Sequence, residues 1–194
     1  MKPTMILTAA LFLFSHAQAQ TAQFGIKGGL NASELHVEGN SSLKTRIAFH
    51  AGILAHIHAS ETWAIQPEIL YSAEGAKGKD GNTTSFLNLG YLNIPVLLQY
   101  MFDNGFRIEG GPQMGFLVSA KTKTGGTSVD VKDNYKSTAF SIPLGIGYLT
   151  MNGLGFDARY VFGLSNINTD THPVVQSNVF QFGIFYQFKK MKKR

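Results

Sequence analysis

Asn178-Val-Phe-Gln-Phe-Gly-Ile-Phe-Tyr-Gln-Phe188 is the stretch that decides the fold. Successive side chains of a strand point to opposite faces. Phe180, Phe182, Ile184, Tyr186 and Phe188 therefore share one face, and Val179, Gln181, Gly183, Phe185 and Gln187 share the other. An unbroken apolar row backed by mostly small or polar residues predicts a strand whose apolar face meets either a second sheet or lipid. The rest of the chain chooses between the two.

Working outward, the same alternation marks seven more strands: Phe24–Asn31, Ile47–His58, Trp63–Ser72, Tyr91–Tyr100, Phe106–Ala120, Thr138–Leu149 and Leu154–Ser165. Their apolar rows include Phe49, Ala51, Ile53, Ala55 and Ile57, then Leu92, Ile94, Val96 and Leu98, then Phe140, Ile142, Leu144 and Ile146. The connections alternate in length. Ala32–Arg46, Ala73–Gly90, Lys121–Ser137 and Asn166–Ser177 are long and polar, whereas Ala59–Thr62, Asp103–Gly105 and Asn152–Gly153 are short turns. In an up-and-down sheet all the long loops then fall at one end, which is the layout of a membrane-spanning barrel. Aromatic residues support this. Phe24, Trp63, Tyr100, Phe106, Tyr148, Tyr186 and Phe188 lie toward the short turns, and Phe49, Tyr71, Phe116, Phe140, Phe162 and Phe180 toward the long loops. Two such girdles fit two membrane interfaces.

The polar face argues for its being the inside. Gly25, Gly29, Gly52, Gly111, Gly115, Gly145, Gly147, Gly155, Gly163 and Gly183 lie on it. Glycine weakens a strand unless close packing requires it, and a narrow lumen of eight strands leaves little room between its larger side chains. The charged members of this face, Lys27, Glu68, Arg107, Glu109, Asp157 and Arg159, are expected to meet inside. There they form either a conduction path or a plug of ion pairs, and the plug is favoured because eight strands enclose just enough space for their own side chains. Pro67, Pro95, Pro112 and Pro143 stand inside proposed strands and remove ladder donors, so bulges or bends are expected at them.

Composition sets outer bounds. The 194 residues suit one domain. Met1–Ala19 reads as an export signal, with Lys2, an apolar core from Met5 to Phe14 and Ala17-Gln18-Ala19 as the cleavage site, so the barrel domain is expected over residues 20–188 and a basic tail over 189–194. There are no cysteines, so no disulfides staple the fold. The pI of 9.4 comes largely from the ends. Without Lys2 and the five basic residues of Lys189–Arg194, 11 basic face 12 acidic groups, which leaves no basic body for nucleic acid.

Two resemblances follow from these residues. Gln181-x-Gly183-x-x-Tyr186-x-Phe188 resembles the terminal strand of bacterial outer-membrane barrels, where it would act as a signal to the barrel-assembly machinery. Phe24–Asn31, Ile65–Ser72, Tyr91–Tyr100, Gly110–Phe116 and Asp157–Asn166 resemble segments of the PorT-like outer-membrane β-barrel family, and the prolines recur in them. The resemblance implies an eight-stranded antiparallel barrel in the outer membrane, surrounded by lipid, and little about activity.

No catalytic or cofactor constellation competes with this reading. His50, His56 and His58 share a face of one strand and are read as lumen lining rather than a metal site. No nucleophile elbow, phosphate loop or dinucleotide fingerprint occurs, so no enzyme and no cofactor are expected. The expected role is structural or adhesive, through long loops that meet an envelope or extracellular partner. The alternatives are an accessory of a protein-secretion system, and a soluble lipocalin-like barrel that turns its apolar face inward around a small ligand.

Overall fold

The computed structural model describes residues 22–38, 44–80, 83–170 and 172–188. The expected signal Met1–Ala19 and basic tail Lys189–Arg194 lie outside the described residues. The strands are β1 (Ala22–Val37), β2 (Arg46–His58), β3 (Trp63–Asp80), β4 (Thr83–Met101), β5 (Phe106–Gly110), β6 (Gln113–Thr124), β7 (Thr127–Asp130), β8 (Thr138–Leu149), β9 (Leu154–Gly163) and β10 (Val175–Gln187). These ten strands make eight staves, because β5 and β6 are two halves of one and β7 is the return arm of a hairpin on β6.

Every pairing is antiparallel, and the sheet closes on itself. β1 pairs with β10 from Gly25 opposite Gln187 to Val37 opposite Val175, and β4 joins β3 to the β5/β6 stave. Closure satisfies the ladder groups that an open sheet would leave at its edges. Short turns lie at one end. Gly105 and Gly153 there adopt φ of 88° and 90°, a region open to glycine at little cost.

The apolar rows face outward and the polar rows inward on every stave. Phe182 is 56% exposed and Phe24 65%, while Lys27, His50, His56, Glu68, Asp157 and Gln181 are buried. A lipocalin-like barrel needs the reverse arrangement, and this structure does not have it. Ring contacts tie the short-turn girdle together, with Trp63 to Tyr100 and Tyr100 to Phe102 both at 5.0 Å between centroids. From Trp63 to Tyr71 on β3 the band measures about 26 Å along the strand at roughly 3.3 Å per residue.

The prolines interrupt pairing without changing register. Pro67 stands opposite Val96, Pro95 opposite Gln113 and Pro143 opposite Val161, so the prolines line up across adjacent staves. Gly111 and Pro112 split the fifth stave, yet Gly110 still pairs with Leu144 and Gln113 with Ser141 in one frame. The Val96 amide is satisfied by the Pro112 carbonyl at 3.0 Å. The register shift recorded along β4 falls elsewhere, between Gly90 and Tyr91, where Val118 is the extra residue of β6.

The strands run further than alternation suggests. Ala73–Gly90 is expected as a loop, but β3 and β4 continue as a paired hairpin to Asp80 and Thr83. Likewise β1 extends to Val37, β6 to Thr124 and β10 begins at Val175. Backbone pairing needs no outward apolar row, so it continues where that row gives way to polar residues and the apolar side chains, such as Leu35, Ala76 and Leu89, turn inward instead.

Candidate functional site

Alternate positions of the staves deliver the polar face into one interior. Asp157 and Arg159, two residues apart on β9, both point inward. Arg159 is 2% exposed and donates through Nη1 and Nη2 to the two oxygens of Glu68 on β3, each at 2.7 Å. Its Nε donates to Glu109 on β5. Lys27 on β1 donates to Asp157 at 2.7 Å. Neutral amides complete the acceptors: Gln66 donates to Glu68 at 2.7 Å and Gln99 to Glu109 at 2.6 Å. Five of the six charges expected in the lumen thus pair across it. Arg107 is the exception. It lies with its guanidinium carbon 5.7 Å from the centroid of Phe185 and donates to Gln99 at 3.4 Å, with no ion pair among the described residues.

The network needs the glycines around it. A Cβ on Gly183 would lie 2.7 Å from Asp157 Oδ2 and 2.8 Å from Lys27 Cε. One on Gly145 would lie 2.6 Å from Arg159 Cγ. The terminal-strand residues divide between the faces. Gln181 points inward and donates to Asn31 at 3.1 Å, Gly183 lies under the Lys27–Asp157 pair, and Tyr186 and Phe188 point outward.

Above the charges lies a second polar layer. His50 Nδ1 is 2.7 Å from Asn31 Oδ1, and Asn31 donates to Ser72 Oγ and to the Ala73 carbonyl, both at 2.9 Å. On the other side of the charges, toward the short turns, His56 Nδ1 is 3.3 Å from Gln66 Oε1. His50 and His56 are thus lumen residues held by amides, His58 packs edge-on against His56 at 4.6 Å between centroids, and among the described residues no three His, Asp or Glu side chains converge on a metal-sized site. Glu74 is the residue that sequence reading misses. It is 6% exposed, and accepts from Ser72 at 3.0 Å, Asn93 at 3.1 Å and Ser177 at 2.9 Å. Its stretch reads as loop, but Glu68, Leu70, Ser72 and Glu74 continue one period-two row that points to it.

At the long-loop end the interior turns apolar. Leu35, Ala76, Leu89, Tyr91, Leu117, Ala120, Val175 and Ile167 form one cluster, with Val131 and Tyr135 packed against it. Ile167 is 1% exposed although it belongs to the connection between β9 and β10. That connection is tied to the one between β7 and β8: Lys136 N donates to the Ile167 carbonyl at 2.8 Å and Thr169 N to the Asn134 carbonyl at 3.1 Å. Beneath it, Glu74, Tyr91, Asn93, Gln113 and Ser177 line a cavity of about 20 Å³, room for roughly one water molecule.

Comparisons with known proteins agree with this architecture. In the crystal structure of Neisserial surface protein A the chain meets a fold with a TM-score of 0.58, at 16% identity, over 87% of this chain and 99% of that one. Ail, the attachment invasion locus protein of Yersinia pestis, gives a TM-score of 0.56 at 16% identity, over 86% and 99% of the two chains. Ail in complex with the heparin analogue sucrose octasulfate gives 0.55, also at 16% identity, over 86% and 99%. No curated protein matches the chain in sequence. Residues 17–168 match the family described as the outer membrane protein beta-barrel domain. An antiparallel up-and-down barrel with its apolar band outward, matched over most of its length by that family, is an outer-membrane protein, and the chain belongs to the outer membrane protein beta-barrel domain family.

Proposed function

We propose that this protein is a non-conducting, non-enzymatic barrel with a structural and adhesive role, its lumen plugged from within and its loop end offered to partners. The observation that carries the plug is the layered interior, in which Arg159 bridges Glu68 and Glu109 across the lumen and Ile167 seals the apolar cluster above. Ions crossing would have to break a desolvated ion-pair network, whose removal from water is already costly. The adhesive half is supported by the hairpins of β3–β4 and β6–β7, which rise beyond the outward apolar band as paired strands. Rigid strands hold a binding surface better than free loops do.

Planar-bilayer recording of the refolded barrel tests the plug. We expect a conductance no greater than that of protein-free bilayers, and steady ohmic steps would overturn it. Adhesion is tested with cells that display the barrel or a form in which a short turn replaces residues 76–87. Equal surface attachment by both would remove that role.

The wording of Phe24–Asn31, Tyr91–Tyr100 and Gly110–Phe116 supports a PorT-like placement and, with it, a second reading as an accessory of protein secretion. That reading needs a second envelope protein in contact with the barrel. Photocrosslinking from the short turns in intact outer membranes would give only lipid adducts if it is wrong. On either reading Gln181, Gly183, Tyr186 and Phe188 serve as the address for the barrel-assembly machinery, with Tyr186 and Phe188 presented on the outward face.

A further inference from the structure

The register above the loop-end girdle sets four lysines on one face. Lys44 bridges Lys77, Lys77 stands opposite Phe86, and Phe86 opposite Lys123. One row nearer the barrel, Asn88 stands opposite Lys121. Directly opposed residues of antiparallel strands share a face, so Lys44, Lys77, Lys121 and Lys123 lie side by side. Phe86 forms their floor, with Lys77 Nζ 5.6 Å from its ring centroid.

The extra residue Val118 decides which face this is. Before it, the inward residues of β6 are Gln113, Gly115 and Leu117; after it the inward residue is Ala120, and Lys121 and Lys123 are exposed. A bulge re-aims every side chain beyond it. In an unbroken strand both lysines would have pointed into the apolar cluster. Instead they continue the lipid-facing side of the barrel upward. Like charges placed opposite one another destabilise a sheet. Yet among the described residues none of the four is within ion-pair distance of a carboxylate. Asp130, the carboxylate opposite Lys121, stands on the edge strand β7.

Height selects the anion. From Tyr71 to Lys77 on β3, and from Phe116 to Lys121 on β6, where Val118 adds no rung, a rise of roughly 3.3 Å per residue at a tilt of about 45° puts the lysines about 9–14 Å beyond the girdle. The head-group zone of an ordinary bilayer is only about 5–8 Å deep. A glycerophospholipid phosphate therefore sits below the patch, whereas a phosphate carried on sugars reaches it. We propose that this face binds the phosphorylated saccharide head group of an outer-leaflet glycolipid. The proposal rests on the outer-membrane placement and is independent of the plug and of adhesion.

The test is the unfolding temperature of the barrel in phosphatidylcholine vesicles, alone or with a minor fraction of rough lipopolysaccharide phosphorylated on its core sugars. A rise of several degrees is expected with the glycolipid, a smaller one with phosphatidylglycerol of equal charge, and suppression of both by molar salt. The variant K44Q/K77Q/K121Q/K123Q is expected to unfold with the wild type in plain vesicles and to lose the glycolipid rise, and the four-arginine variant to keep it. If the four-glutamine variant does not refold, Lys121→Gln with Lys123→Gln carries the test, with about half the rise lost. An equal rise in wild type and glutamine variants, or one no larger than phosphatidylglycerol gives, overturns the proposal. So does a rise produced by soluble sucrose octasulfate and not by the glycolipid, which would make a free sulfated saccharide the partner.

Discussion

At the scale of single residues, Arg159 carries the interior. Its guanidinium holds Glu68 in a two-pronged pair and Glu109 through Nε, and all three are shielded from water. Removing one partner of a buried pair leaves an uncompensated charge, typically at a cost of about 3–5 kcal/mol, whereas replacing the whole group with neutral residues is often nearly neutral. Arg159→Met is therefore expected to destabilise the barrel by about that amount, and R159M/E68Q/E109Q to recover most of it. Urea titration of the barrel in vesicles measures both, and a triple variant no more stable than the single one would sink the argument. Gly183 gives a second expectation at this scale. Any side chain there meets Asp157 and Lys27, so Gly183→Val is expected to cost more than Gly183→Ala by the same titration, with Gly28→Ala, whose added Cβ meets nothing nearer than 3.7 Å, as the tolerant control. The inward charges were readable as a set, because period two sorts them to one face. Which carboxylate each cation takes was not readable, because Asp157, Glu68 and Glu109 come from three staves whose relative height depends on closure. Arg107 therefore reads like Arg159 in sequence, yet it lies over an aromatic ring.

At the scale of the strand, what decides legibility is whether one face is apolar. Where it is, as from Phe180 to Phe188, alternation marks the element almost to its ends. Where the chain leaves the membrane, the outward row turns polar while the inward row becomes apolar at Ala76 and Leu89, so the single apolar face is lost, although pairing from Ala73 opposite Gly90 to Asp80 opposite Thr83 continues unbroken. The bulge at Val118 was hidden for a related reason: one extra residue changes the parity of everything after it without changing composition. Deleting Val118 closes the bulge: Ser119 then follows Leu117, and the strand alternates regularly with Ala120 still inward opposite Leu89 and Lys121 and Lys123 still outward opposite Asn88 and Phe86. The deletion is therefore expected to leave the loop-end cluster packed. Trypsin applied from outside should cut after Lys121 or Lys123 no faster in the deletion than in the parent, and faster cutting would show that pairing beyond Gly90 depends on the extra residue. The apolar band makes a complementary expectation. Ile184 faces lipid midway along β10, so Ile184→Arg is expected to cost about 2–4 kcal/mol. Val129, exposed on β7 above the membrane, should accept arginine at almost no cost.

At the scale of the whole molecule, the proposed seal consists of two barriers in series. One is the charged layer of Arg159, Glu68 and Glu109. The other is the apolar layer closed by Ile167, Val131 and Tyr135, and the polar tier of Asn31, His50 and Glu74 lies between them. The layers differ in kind, since one blocks by ion pairs and the other by dry packing. Barriers in series add their resistances, so opening one leaves the other in control. Neutralising the first with R159A/E68A/E109A is therefore expected to leave a planar bilayer silent. Opening the second alone, by replacing Ile167, Asn168 and Thr169 with glycine, is expected to do the same. The combined variant should conduct, weakly and without voltage gating, because the space vacated by the truncated side chains of Arg159, Glu68 and Glu109 then meets an unsealed mouth. Each variant is first checked for the gel shift between boiled and unboiled samples that a closed barrel gives, so that silence is not mistaken for misfolding. Conduction by R159A/E68A/E109A alone would mean that Ile167 and its neighbours form a cover that ions bypass. Silence of a correctly folded combined variant would mean that the glycine-packed staves themselves, and neither layer, close the barrel.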